Sequence, residues 1–501
     1  MATQGKVWYS VILAATANRI FIWLKKTLND DCEYHQYQNQ PGDNIFYPVV
    51  YEERCDDTYQ MPSFSTPISG IRQICCEKEV FNNYLISGFA AMLTVYAKEI
   101  GYFDTFSTYL NVDIKEVDFT VLSKIEVIII AACMGCDHTK DINFELRPYP
   151  ALPNILGIPR IPEQSQISRF YSKLSMNNYS ELVHVMDDLF STHCMPVFEE
   201  YPVDIDIDTT GIVVYGDTYE YKKKGYFSHQ QGKEGYQLTA AITNGPCNFV
   251  IANIVDPGNI SPGLRFFDIL YSVAESFGSL DKIGLIRADR AQGIGENVQE
   301  LIELDKEFLF KAINGKTALK YIEAIGYGNI SWTEITDIVK VADIGMRAVP
   351  NCTHKTRVIL IETVTFNKKK MEYVKKYTNL FVRIKREMDE AEIFNLYGGR
   401  QIIESVFDTS KNGLGVDVLK CRKFAGLSSS IILTFISHNL LCLFRKDVLS
   451  DLGLENLGIK EIIKRLMNIP AKVKNDGNIL KLIFPDNHPY TKGFKPTTDV
   501  G

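Results

Sequence analysis

Apolar and polar residues alternate from Val203 to Tyr215, and many of the apolar ones are β-branched, which predicts a half-buried strand. Gln237 to Thr243 and Asn248 to Val255 predict two further strands. A helix follows over about Gly263 to Phe277, and Lys282 to Ala288 is apolar enough for a strand buried on both faces. Hairpin-linked strands, then a helix, then another strand describe an α/β domain. Upstream, residues 81–200 read as largely helical. Tyr84, Phe89, Met92, Leu93 and Tyr96 fall near helical spacing, Val127 to Met134 is a buried-looking run, and Gln164 to Phe170 reads as a capped helix start. Downstream, residues 315–385 are poor in helical pattern. Arg357 to Phe366 and Leu380 to Ile384 are strand-like, with a lysine-rich loop (Lys368, Lys369, Lys370, Lys375, Lys376) between them. A long helix over about Asp389 to Ser410 and an apolar helix through Ile431 to Phe444 complete the pattern. Residues 1–80 are irregular, and no internal repeat is visible.

Composition changes this picture little. A chain of 501 residues predicts two to four structural units, and 46% hydrophobic with 23% charged residues is the balance of a globular protein with a real core. The net charge of -7 speaks against a wholly basic surface, but the charge is uneven. Residues 351–450 hold 17 Lys+Arg against 10 Asp+Glu, a local +7 that leaves -14 elsewhere. Binding to phosphate needs a basic face, not a basic average. Eleven cysteines, an odd number scattered along the chain, make no disulfide framework and suggest a reducing compartment. Cys133-Met-Gly-Cys136, with His138 nearby and Cys75-Cys76 upstream, lacks a second pair at zinc spacing, so buried free thiols are expected. No segment is expected to span a bilayer. Val7 to Leu24 is apolar but broken by Asn18 and Arg19. It faintly resembles a signal peptide, with a packed helix the simpler expectation.

Candidate chemistry enters at three places. In Val203-Asp-Ile-Asp-Ile-Asp-Thr-Thr210, Asp204, Asp206 and Asp208 share one face of a strand. Like charges in a row repel, and a divalent metal would relieve them; a solvated strand face is the plain alternative. Next, the apolar run before Asp289 puts a carboxylate at a strand's C-terminal end, where ligand sites of α/β sheets gather. Finally, Tyr397, Arg400, Glu404 and Lys411 fall on one stripe of a helix. Such a stripe can bind a metal through Glu404, pair Arg400 and Lys411 with phosphate and position or stack a group with Tyr397. A solvated face with an Arg400–Glu404 pair is the alternative.

Tyr-x2-Arg-x3-Glu-x6-Lys, read as Tyr397, Arg400, Glu404 and Lys411, resembles the signature of a large group of insertion-sequence DDE transposases. Asp206-Ile-Asp-Thr-Thr210, Gly225-Tyr226, Gly258-Asn259, Arg287-Ala-Asp289 and Ser437-His-Asn-Leu-Leu441 resemble that group too, as do Gly135 to Asp141, Leu146-Arg147 and Gln164 to Phe170. The resemblance covers about residues 84–450 and implies an α/β (α+β overall) chain with a ribonuclease-H-like catalytic core, an α-helical N-terminal region and a β-rich insertion. Its parts would be an N-terminal extension of unknown role (1–80), a helical DNA-binding region (81–200), the core in two pieces (201–314 and 386–450), the insertion (315–385) and a C-terminal tail (451–501). It implies Asp208, Asp289 and Glu404 as catalytic metal ligands, with Asp206 the runner-up for the first position. The implied cofactor is two Mg²⁺ ions, with Mn²⁺ as a substitute. Tyr397, Arg400, Lys411, Arg290 and Trp332 would meet DNA or phosphate, Trp332 by stacking on a flipped base. The implied partners are double-stranded DNA, both terminal inverted repeats and target, and a second copy of the chain once assembled on DNA. No membrane is involved, and the setting would be the cytoplasm, on the nucleoid.

The sequence departs from the pattern at Gly398-Gly399, where a kink would carry Tyr397 off the stripe. Three rivals remain: a domesticated DNA-binding module, a structure-specific endonuclease of the same fold, and a protein whose acidic strands are accidental. The last predicts that the three carboxylates lie far apart.

Overall fold

A computed structural model describes residues 7–16, 19–28 and 85–491, apart from 226, 228–229, 231, 313–314, 368–370, 477–478 and 486–487. Strands β1 (Val7–Thr16), β2 (Arg19–Leu28) and β3 (Leu85–Ser87) come first. Six helices follow: α1 (Gly88–Glu99), α2 (Asp104–Tyr109), α3 (Val121–Cys133), α4 (Leu152–Leu156), α5 (Gln164–Lys173) and α6 (Met176–Leu189). Next are β4 (Val203–Val213), β5 (Lys223–Lys224), β6 (Glu234–Asn244), β7 (Val250–Pro257), α7 (Phe266–Phe277) and β8 (Ile283–Ala288). They lead to α8 (Gly295–Glu303), β9 (Phe308–Lys311) and α9 (Gly315–Ile325). Strands β10 (Thr333–Thr336), β11 (Val339–Ala348), β12 (Lys355–Asn367) and β13 (Glu372–Arg383) precede α10 (Glu390–Gly398), α11 (Gln401–Asn412) and α12 (Phe424–Phe444). The chain closes with β14 (Pro470–Asp476) and β15 (Ile479–Pro485).

These elements form two compact units. The first, built from residues 1–99, 147–161 and 466–501, holds an antiparallel sheet of order β2-β1-β15-β14-β3 together with α1 and α4. Val7 to Leu24, expected as a helix, instead forms β1 and the start of β2. Its Val, Ile, Trp, Tyr and Phe residues fit a pleated surface better than a helix.

The second unit, residues 100–146 and 162–465, is organised by a ten-stranded mixed sheet. Its order is β10-β11-β12-β13-β9-β8-β4-β6-β5, with β7 also paired to β6. Only β4–β8 and β8–β9 are parallel. Every residue of β8 is buried, as a central parallel strand requires, whereas Val203, Ile205 and Ile207 of β4 are buried between acidic neighbours. The expected strands and α7 stand close to their forecast places. Two expectations fail in the insertion. It contains a helix, α9, whose Ala318, Tyr321, Ile322 and Ile325 stand at helical spacing against one cluster, a period masked by the strand-like runs around it. Lys375 and Lys376, expected in a loop, lie inside β13, paired with Val364 and Thr363.

Helix α12 is largely apolar on all sides and buried from Gly426 to Phe444, as a helix in the middle of a core must be. Phe424–Leu449 has the length and apolar character of a membrane span, contrary to expectation, but its apolar stretch from Gly426 to Phe444 is buried inside the protein. The hydroxyls of Ser430, Thr434 and Ser437 donate back to carbonyls one turn earlier, which satisfies them without leaving the helix. Asn439 spends its whole amide on β7: Val250 N–H donates to Oδ1, and Nδ2 donates to the Val250 carbonyl.

Candidate active site

Parallel pairing sets the site. Ile207 of β4 sits beside Ala288 of β8, and Ala288 sits beside Phe310 of β9. One residue further along each strand stand Asp208, Asp289 and, at the last position of β9, Lys311. Three adjacent strands thus bring two carboxylates and an ammonium together, at the C-terminal ends of β8 and β9 and the middle of the longer β4.

Helices α10 and α11 supply the rest. The single helix expected over Asp389 to Ser410 is two helices, broken at Gly399-Arg400. Tyr397 and Arg400 nevertheless converge with Glu404. The Arg400 guanidinium donates through Nη1 to Asp208 Oδ2 at 2.8 Å and through Nη2 to Glu404 Oε1 at 2.9 Å. One planar group bridging both acids puts those oxygens within roughly 8 Å of each other. Tyr397 donates its hydroxyl to Asp289 Oδ1 at 3.2 Å and lies near the Arg400 guanidinium, 5.7 Å from ring centre to Cζ. Lys411 reaches β4 instead, donating to Thr210 Oγ1 at 2.7 Å and to the Gly211 carbonyl at 3.1 Å.

Electrostatics follow from this crowding. Burial raises the Asp208 pKa, against the pull of Arg400 and the Thr209 N–H. Burial also raises the Tyr397 pKa, and Asp289 pushes the same way. Burial alone would lower the Arg400 pKa, but Tyr397, Asp208 and Asp289 outweigh it and the net shift is upward. Lys311 and Lys411 are pulled down, chiefly by burial.

Asp206, the alternative first acid, is fully buried and held by Arg287 through Nε at 2.6 Å and Nη2 at 2.9 Å. The third arm of Arg287, Nη1, donates to the Leu396 carbonyl at the end of α10 at 2.8 Å. Asp204 accepts from the Leu285 N–H at 2.8 Å, where the β4–β8 register shifts. The three aspartates of β4 are therefore relieved by two arginines and a backbone N–H.

Arg290 is exposed directly after Asp289. Trp332 is half-buried against the cluster of Ala318, Ile322, Ile330, Ala342 and Leu360, with its ring centre 5.7 Å from that of Tyr327. None of these neighbours belongs to the acidic cluster. Sequence reasoning missed Lys311, because nothing in its local pattern marks it; only its strand's place beside β8 does. Gly225 and Gly258, singled out in the sequence, cross so closely that a Cβ on Gly225 would stand 1.9 Å from the Gly258 carbonyl oxygen. Cys133 and Cys136 are buried free thiols, as expected, whereas Cys75 and Cys76 lie outside the described residues.

Among the described residues, no three His, Cys, Asp or Glu side chains stand ready to hold a metal as placed, because Arg400 lies between Asp208 and Glu404. The donor set still suits a hard cation: three carboxylates, with Asp289 Oδ2 and Glu404 Oε2 taking no hydrogen bond among the described residues.

Residues 91–500 match the family described as transposase DDE domain group 1. No curated protein matches the chain. Among solved structures, the cryo-EM structure of the piggyBac transposase synaptic complex with hairpin DNA is similar at 12% identity with a TM-score of 0.39, over 78% of this chain and 81% of that one.

Proposed function

This chain belongs to the transposase DDE domain group 1 family, and from that premise we propose that it cuts DNA at the ends of its own mobile element and joins those ends to target DNA. On this reading it is a member of the Tyr-x2-Arg-x3-Glu-x6-Lys group, residues 201–314 and 386–450 form a ribonuclease-H-like core, and Asp208, Asp289 and Glu404 are the catalytic acids. The observation that carries it is the Arg400 guanidinium bridging Asp208 and Glu404 while Tyr397 holds Asp289. Acids from three distant parts of the chain have no structural reason to share one cluster of donors. That proximity speaks against accidental acidic strands.

Asp208, Asp289 and Glu404 would hold Mg²⁺, or Mn²⁺ in its place, and a bound pair of such ions supplies activation of the attacking hydroxyl and stabilisation of the leaving oxygen. The chain's own groups do the positioning. Arg400 fixes the two outer acids, Tyr397 orients Asp289, and Lys411 anchors α11 to β4 beside Asp208. Arg290, exposed beside the acids, is placed for a DNA phosphate. The packing of Trp332 supports a structural role in the insertion over stacking on a base. Residues 81–200 would serve as the helical DNA-binding region, and a second copy of the chain would join on DNA, in the cytoplasm on the nucleoid.

The test is nicking and end-joining by the purified full chain on a plasmid carrying the DNA that flanks its gene. Wild type should cut at inverted repeats with Mg²⁺ and stop with EDTA. Asp208→Asn, Asp289→Asn and Glu404→Gln should each lose at least about a thousandfold in rate. Binding without cutting would identify a domesticated module. Cutting that ignores the repeats and never joins ends would identify an endonuclease.

A further inference from the structure

The two cations of the signature rest on the protein's own groups, although the buried Nε of Arg400 has no partner among the described residues. Both terminal nitrogens of Arg400 are hydrogen-bonded to carboxylates, and the Lys411 ammonium is hydrogen-bonded to Thr210 and Gly211. A phosphate entering between the acids meets their negative charge and needs a cation that is not already satisfied. Lys311 meets that need by position. Its strand runs parallel to β8, so that Asp208, Asp289 and Lys311 stand in sequence across three neighbouring strands. Its ammonium lies 5.9 Å from the centre of the Tyr397 ring and within the field of Asp289, Glu404, Arg290 and Arg400. Among the described residues, no hydrogen bond or ion pair holds it. A half-buried ammonium without an acceptor is costly, and an aliphatic side chain would fill the same space more cheaply.

We propose that Lys311 binds a non-bridging oxygen of the DNA phosphate at the cut, as an ammonium beside Asp289 and Tyr397 that no hydrogen bond or ion pair holds among the described residues. The inference rests on the transposase reading. It adds Lys311, with Arg290 outside, to the basic groups beside the acids that can receive the phosphate.

Lys311→Met and Lys311→Arg in the full chain, beside wild type, test this with two readouts. The first is binding of a short fluorescent DNA duplex, without Mg²⁺, over a range of salt concentrations. Lys311→Met should lower the slope of log affinity against log salt by about one, and Lys311→Arg should keep it. The second is Mg²⁺-dependent nicking of the flanking-DNA plasmid. Turnover should fall roughly hundredfold in Lys311→Met, with the half-saturating DNA concentration rising as the lost contact requires, and both should recover largely in Lys311→Arg. An unchanged slope overturns the proposal, whether or not nicking falls, because the lysine then acts through packing. A lower slope with unchanged turnover overturns it too, because the contact is then remote from the cut. If wild type itself nicks nothing while the slope still falls, the transposase reading fails and the phosphate contact stands.

Discussion

Asp204, Asp206 and Asp208 alternate along one strand, yet each meets a different partner: a backbone N–H, a buried arginine and an arginine at the edge of the site. Alternation in the sequence showed that they share a face. It could not rank them, because the deciding partners, Arg287 and Arg400, are 81 and 192 residues further along the chain. The ranking has an energetic consequence. Breaking a buried ion pair by removing one partner typically costs about 3–5 kcal/mol, since the other charge stays buried alone. Asp206→Asn should therefore destabilise the protein by that order, read as a lower denaturant midpoint. Asp208→Asn leaves Arg400 its Glu404 partner and should cost no more than about 1–2 kcal/mol while abolishing nicking. A folded, inactive Asp206→Asn beside an active Asp208→Asn would reverse the assignment of the first acid.

At the scale of elements, the spacing of Tyr397, Arg400, Glu404 and Lys411 was legible, but the helix carrying them was not. A regular helix from Asp389 to Ser410 satisfies the periodicity, and the Gly398-Gly399 pair was the one hint of a break. The break has a cause on another strand. The Arg287 guanidinium, already gripping Asp206, donates to the Leu396 carbonyl, and a Cβ on Gly399 would stand 2.8 Å from its Nη1. Nothing lies within 4 Å of a Cβ on Gly398. The two glycines should therefore answer the same substitution with opposite signs. Gly398→Ala should stabilise by about 0.5–1 kcal/mol, the ordinary gain of alanine in a helix. Gly399→Ala should destabilise and slow nicking, because it pushes Arg287 off Leu396 and shifts the α10–α11 junction that places Tyr397 and Arg400. Paired thermal melts and rates check this, and equal effects at both positions would refute the account.

For the molecule as a whole, the sequence suggested an insertion set apart from the catalytic core, and the sheet of the second unit joins them. Strand β13 pairs with β9 from Leu380 opposite Lys311 to Arg383 opposite Phe308, so the insertion's strands extend the sheet that carries the acids. Long-range strand pairing of this kind leaves no local trace in a sequence, whereas the alternation of β4, the apolar run of β8 and the acid at its end do. Leu285 and Leu309 of the central strands share a buried cluster with Val341, Ile359, Ile361, Leu380 and Val382 of the insertion, and Ile393 and Tyr397 of α10 pack onto it. The insertion is thus part of the platform under Tyr397, and core and insertion should unfold together. Ile359 is fully buried there, and Ile359→Ala should cost about 2–5 kcal/mol for the lost contacts and the cavity left behind. The chain has three tryptophans, so replacing Trp8 and Trp23 by Phe makes Trp332 a fluorescent reporter of the insertion, while amide protection of β4 and β8 reports the core. Both signals should be lost at one denaturant concentration in wild type, and at one lower concentration in Ile359→Ala, as a cooperative transition requires. Trp332 fluorescence lost well before β4 and β8 protection would mean an insertion that folds by itself, and Tyr397 would then owe its position to α10 alone.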